Sequence, residues 1–157
     1  MKPLSWRRLT HSRRWLRIEA WIYLQLSRLA IRLIPFRKLT WFFQRPAVRP
    51  ELAGEARDQL IRDVRWAIWS HARDQPERIV CFPRGITAQA MLRQRGVATT
   101  LYYGATSDAE KGLNAHVWVQ DGELGIIGTR TNAGYKVLAR YAAPSAEAAA
   151  ALEHIPH

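Results

Sequence analysis

Cys81 is the only cysteine of the 157-residue chain, and it stands in the block RIVCFPRGITAQAMLRQRG, residues 78–96. Pro83 suits a first helical turn, where its fixed φ fits and its missing N–H costs nothing, and Gly96 suits the position just past a helix end. The spacing therefore predicts a helix whose N-terminus lies at or just after Cys81. Unpaired N–H groups and the positive end of the helix dipole favour a thiolate there, the nucleophilic form of the side chain. The same N–H groups are the natural stabilisers of an oxyanion.

The complementary group is His116, in NAHVWVQDGELGIIG, residues 114–128. This stretch reads as strand, Asp121-Gly122 turn, strand. A helix cysteine followed by a hairpin histidine is an arrangement used for acyl transfer through a thioester, in which the imidazole takes the thiol proton and later returns it to the leaving group. The residues alone leave a second reading open. A lone cysteine flanked by Ile79, Val80 and Phe82 also suits a small buried hydrophobe, and a strand histidine is often simply packed.

These two residues need elements to position them. Upstream, ELAGEARDQLIRDVRWAIWSHARD is helical, with Leu60, Ile61, Val64, Ile68 and His71 recurring on one face. His71 reads as a packed boundary residue and not as a base. Downstream, VATTLYYG is a strand, ATSDAEKGL a polar loop, and YKVLARY a further strand behind the hairpin. Helices come first, then the cysteine helix, then an antiparallel sheet of at least four strands with no helical crossovers, so the fold class is α+β.

The first third differs from the rest in charge. Residues 1–50 hold twelve Lys and Arg against Glu19 alone, a net of +11, whereas residues 51–157 hold twelve of each sign. Trp6, Trp15, Trp21 and Trp41 are interleaved with arginines, and the periodicity predicts a helix from about Arg14 to Ile34. Gln25, Ser27, Arg28 and Arg32 interrupt the apolar run, which excludes a span of roughly 20 uncharged residues, and IRLIPFRK offers no signal cleavage site. The favoured reading is an amphipathic helix docked on the core or a partner, with Arg13, Arg14 and Arg17 facing outward. A membrane-surface helix and a nucleic-acid-binding helix are the alternatives.

Residues 44–50, QRPAVRP, form a linker because two closely spaced prolines stop a helix. The organisation is thus a basic, tryptophan-rich segment 1–50, a core 51–143 and an alanine-rich tail 144–157. One cysteine excludes an internal disulfide, and no CxxC or HxxxH pairing invites a metal. No metal or cofactor is expected.

Residues from about Leu16 to Tyr141 resemble the transglutaminase-like leader peptidases of bacterial lasso peptide biosynthesis, the B-type maturation proteases. The pieces that carry the resemblance are LRIEAWIYLQLSRLAIRLIPF, VRWAIW, CFPRGITAQAMLRQRGVATTLYYG, KGLNAHVWVQDGELGIIG and YKVLARY. It implies a transglutaminase- or papain-like core in which a cysteine-bearing helix packs on the antiparallel sheet, with Cys81 and His116 catalytic. It implies a cytoplasmic enzyme that cuts a ribosomally made precursor peptide between leader and core. Its implied partners are a separate PqqD-like leader-recognition protein and an ATP-using lasso cyclase, with no nucleic acid, no transmembrane span, and contact with a membrane surface left open. Residues 1–50 would be the docking surface of this stand-alone protease half. Transglutaminase-type acyl transfer to an amine, or a non-enzymatic basic protein binding membrane or nucleic acid, are the competing functions.

The chain departs from these relatives in one respect. They usually carry an aspartate on the strand returning from the hairpin, at the level of the histidine. A two-residue turn at Asp121-Gly122 places Ile127 opposite His116, a three-residue turn places Ile126 there, and Gly128 is next; none offers a side-chain acceptor. Asp121 lies five residues from His116, roughly 16 Å along a strand, and reads as a turn residue. The expectation is a Cys81–His116 dyad whose histidine is held by a backbone carbonyl or a neutral side chain, with Thr129 and Asn132 as the side-chain candidates and no third member assigned.

Overall fold

A computed structural model describes residues 6–47, 49–72, 77–108, 112–130 and 132–145, with the side chains of 6–12, 72 and 77–80 left aside. Four helices precede four strands: α1 Trp6–Leu33, α2 Phe36–Phe43, α3 Gly54–Ala72, α4 Glu77–Arg93, β1 Thr100–Asp108, β2 Gly112–Asp121, β3 Leu124–Ile127 and β4 Lys136–Ala142. All strand pairs are antiparallel in the order β3-β2-β1-β4, so the fold is α+β as the element order predicts.

The long first helix stops at Ile34, because the residue before a proline is pushed out of the α region. Pro35 then starts α2, whose Leu39 N–H donates to the Pro35 carbonyl at 3.3 Å. At eight residues α2 is too short for periodicity to reveal it, yet its Leu39 and Phe43, four apart, are both buried. The segment expected as a polar loop is mostly strand: Ala105–Asp108 and Gly112–Leu113 extend the β1–β2 pairing, since matched backbone ladders continue where side chains give little cue. The turn between them lies outside the described residues, as does most of the alanine-rich tail.

One core joins the helices to the sheet. Ile61, Val64 and Ile68 of α3, Met91 and Leu92 of α4, and Leu101, Val117, Val119, Ile126 and Ile127 of the strands pack together, and Leu16, Ala20, Leu39 and Phe43 of α1 and α2 belong to the same cluster. α1 is fastened to α4 by a buried hydroxyl pair, Ser27–Thr87 at 3.2 Å, and by an ion pair between Glu19 and Arg95, 2.9 Å for the longer of two contacts. Arg93 of α4 donates to the Phe42 carbonyl at 2.7 Å and lies over the Phe42 ring; desolvation by this burial, and then the nearby Arg45, lower its pKa.

Gly96 ends α4 as its sequence position predicts. Its φ of +80, the Val97 N–H to Leu92 carbonyl bond of 3.0 Å and the Gly96 N–H to Arg93 carbonyl bond of 3.2 Å form a Schellman cap. A Cβ there would also meet the Pro50 carbonyl oxygen at 2.1 Å, so the linker seats itself against this turn and donates from Leu52 to the Gly96 carbonyl at 2.9 Å.

Candidate active site

The cysteine helix begins earlier than Pro83 suggests. α4 runs from Glu77, so Cys81 is its fifth residue, in the second turn, and Pro83 sits inside the helix. A proline lacks the N–H that would bond the carbonyl four residues back and crowds that carbonyl. Here that residue is Ile79, in the first turn, and the helix absorbs the loss at its start. The expectation that Cys81 stands at the helix mouth is thereby corrected. The N–H groups without an intrahelical partner are those of the first turn, residues 77–80, which precede the thiol.

α4 lies chiefly across β2. The contact is so close at Gly85 that a Cβ there would stand 2.8 Å from Val117 Cγ1 and 3.5 Å from Leu101 Cδ1. One turn later, Gln89 Nε2 donates to the carbonyls of Thr99 at 3.2 Å and Tyr141 at 3.0 Å, where β1 begins and where Thr100 pairs with Gln120. The helix therefore runs from the His116 end of β2 toward its Gln120 end. Cys81, one turn before Gly85 and about 6 Å back along the axis, lies at the His116 end. The aromatic contacts agree: the Phe82 ring is 5.7 Å from Phe36, which is 5.9 Å from Tyr103, the residue paired with Val117. Both Cys81 and His116 are buried, 5% and 3% exposed.

His116 has a defined orientation. Its Nε2 is 2.8 Å from the Gly128 carbonyl oxygen; a carbonyl only accepts, so Nε2 carries the proton and Nδ1 is the basic nitrogen. The ring stacks on Trp118 at 5.9 Å, two residues along the same strand, and meets Tyr135 at 5.2 Å. Trp118 in turn stacks on Tyr102 at 5.6 Å. The acceptor exists because β3 stops at Ile127 and Gly128 takes a φ of +75, where a Cβ would stand 2.7 Å from the Val117 carbonyl oxygen. Only glycine turns the chain there and presents its carbonyl to the imidazole.

This geometry corrects the hairpin register. The central turn residues are Gly122 and Glu123: Asp121 pairs with Leu124, Gln120 with Gly125, and, across a bulge, Val119 with Ile127. Ile127 is thus opposite Val119 and not His116, because the turn falls one residue later than expected, which shifts the pairing by two, and the bulge inserts Ile126 and shifts it by one more. Asp121 is a strand residue whose carboxylate pairs with Arg57 of α3, so its position is explained at the far end of β2 from His116. Thr129 Oγ1 lies against Gly125, 2.3 Å from where a Cβ would be, and the Asn132 carbonyl accepts from the Tyr135 N–H at 3.1 Å. His71 Nε2 donates to the Arg17 carbonyl at 2.8 Å, tying α3 to α1.

Arg84 escapes sequence reasoning altogether. It follows Cys81 by three residues, is 1% exposed and heads the fully buried side chains by size, and its guanidinium carbon is 4.3 Å from the Trp69 ring centroid. The stacking ties α4 to α3 one turn after Cys81. The only cue in the sequence is an arginine amid the apolar run of α4, which a charge count treats as surface.

Comparison with known families gives a match over residues 24–140 to the transglutaminase-like superfamily. Searches of curated proteins and of solved structures returned no match. The matched region takes in the last third of α1, all of α2, α3 and α4, and the sheet almost to its last residues, including Cys81, His116 and Gly128. With a cysteine-bearing helix crossing the histidine strand of an antiparallel sheet, the chain belongs to the transglutaminase-like superfamily, a generally catalytic group that includes cysteine proteases and acyl transferases.

Proposed function

We propose that the chain is a cysteine peptidase that removes the leader from a ribosomally made lasso peptide precursor, with Cys81 as nucleophile and His116 as acid and base. The observation that carries the reading is the Nε2–H bond from His116 to the Gly128 carbonyl, which leaves Nδ1 as the proton acceptor on a buried ring at the Cys81 end of α4. Nδ1 takes the thiol proton as Sγ attacks the carbonyl carbon at the leader–core junction. The proton then passes to the departing amine of the core, leaving the leader as a thioester on Sγ. A water, deprotonated by Nδ1, hydrolyses the thioester and restores the thiol. The Gly128 carbonyl takes the orienting place that an aspartate holds in a triad.

The substrate class comes from the resemblance of the cysteine and histidine blocks, as do the separate leader-recognition protein, the cyclase that would consume the freed amine, and a cytoplasmic setting. Among the described residues no helix is long and apolar enough to cross a membrane. The test is to trap the thioester. Acid-quenched reactions of the full chain with precursor and recognition protein should show the chain carrying the mass of the leader on Cys81, removed by hydroxylamine. Leader release with no adduct and no dependence on Cys81 would end the proposal. Transfer of the leader acyl group to an added primary amine in preference to water would favour the transferase instead.

A further inference from the structure

The outer face of α1 is apolar and, among the described residues, exposed. Trp15, Ile18, Ile22, Leu26, Leu29 and Leu33 recur at three- and four-residue steps and are all exposed, Trp15 at 59% and Leu33 at 71%. At about 100° per residue they fall on one line, nearly opposite the buried line of Leu16, Ala20, Leu24 and Ser27 that meets α3 and α4. Ile34, Phe36, Trp41 and Phe42 continue the apolar surface past Pro35, with Trp41 66% exposed. Where α1 meets α2, a cavity of about 510 Å³ opens between Ala30, Ile34, Leu39 and Trp41, with Arg37 and Lys38 also lining it.

The charge beside this surface has one sign. Arg14, Arg32, Arg37 and Lys38 are exposed, whereas Arg13 is bound to Asp63 at 3.1 Å and lies over Trp66, as does Arg17. Glu19, the one acid of residues 1–50, is neutralised by Arg95. A second copy of the chain would bring arginine against arginine. An anionic lipid surface meets all the features together: an apolar line about 27 Å long at 1.5 Å per residue, exposed tryptophans suited to the headgroup level, flanking cations for lipid phosphates, and a groove of acyl-chain width ringed by Arg37 and Lys38.

We infer that α1 and α2 form a monotopic membrane-binding face, with the apolar line lying in the interface of an anionic bilayer and the cysteine helix held on the opposite side of α1. This assignment stands apart from the chemistry of Cys81. The chain then binds the membrane without spanning it.

The test is co-sedimentation of the full chain with vesicles of phosphatidylcholine and phosphatidylglycerol in equal parts, against pure phosphatidylcholine. Binding to the anionic vesicles is expected to exceed that to the neutral ones by more than about tenfold and to weaken sharply in about 0.5 M salt. Arg32→Gln with Arg37→Gln and Lys38→Gln should weaken it by about a hundredfold, at about fivefold per cation near the surface. Leu26→Glu with Leu29→Glu should abolish binding while circular dichroism shows the fold kept, since both residues are exposed. A blue shift of wild-type tryptophan emission on adding anionic vesicles supports the same result without any variant. No binding to anionic vesicles, equal binding to neutral ones, or saturable binding of an acidic protein by the same line in place of vesicles would overturn the inference.

Discussion

The seam between α4 and β2 and the outer face of α1 distribute polarity in opposite ways. In α4 and β2, a cysteine, a histidine and an arginine are almost wholly buried, and the histidine is fixed by a backbone carbonyl. On α1, tryptophans, leucines and isoleucines stand in solvent. Burying polar groups costs stability unless each is partnered, and exposing a continuous apolar line invites association. On the readings proposed above, both departures mark places where the chain acts on something else, α4 and β2 by chemistry and α1 by contact.

The largest expected effect sits at the seam. His116→Ala should lower kcat for leader release by about 10⁶-fold, the scale of losing the base of such a site, and should cost about 1–3 kcal/mol of stability by taking a buried donor from the Gly128 carbonyl; near-normal turnover would detach the histidine from the chemistry. Gly128→Ala should cost about 3 kcal/mol of stability, from a left-handed φ and a 2.7 Å approach to the Val117 carbonyl, and should lower activity further by displacing the His116 acceptor. An alanine variant as stable and active as the wild type would mean that the Gly128 carbonyl does not hold the ring.

Smaller effects sharpen the contrast. Leu101→Ala, in the core under Gly85, should cost about 2–5 kcal/mol in denaturant unfolding, whereas Leu29→Ser on the open line of α1 should stay within about 0.5 kcal/mol. Equal losses would show that the line is covered within the folded chain. Asp121→Asn breaks an ion pair with Arg57 that is partly exposed on both sides, so stability should fall by about 0.5 kcal/mol and kcat by less than about threefold, because the residue is remote from His116.

The smallest effect is a pH dependence. Desolvation, and then Tyr103, raise the Tyr141 pKa above its ordinary value. The unfolded chain then releases this proton at lower pH than the folded one, so stability is fully present below about pH 10 and falls as the pH rises from there toward the folded value. Tyr141→Phe should flatten that alkaline decline in pH-dependent unfolding; an unchanged profile would assign it to other groups.

The sequence revealed elements whose side chains carry a long period or a strong turn signal: α3 through Ile61, Val64 and Ile68, the end of α4 through Gly96, and the element order that makes the fold α+β. It misplaced what depends on backbone alone. The start of α4 lies upstream of Pro83 because one lost hydrogen bond near a helix end is tolerated, and the β2–β3 register shifts because the turn falls at Gly122-Glu123 and a bulge at Ile126 has no signature in residue type. The candidate site rests, in sequence, on Cys81 and His116 through spacing and family likeness. The Gly128 acceptor was hidden because it acts through its carbonyl, and Arg84 because a buried guanidinium over Trp69 looks, in sequence, like any surface charge.

The most direct test of the central claim is leader release by Cys81→Ala. Incubated with precursor and recognition protein and followed by mass spectrometry, the wild-type chain should yield free leader and a core with a new N-terminus. The Cys81→Ala chain, with the same circular dichroism, should leave the precursor intact. Leader release by that variant at the wild-type rate would contradict the account.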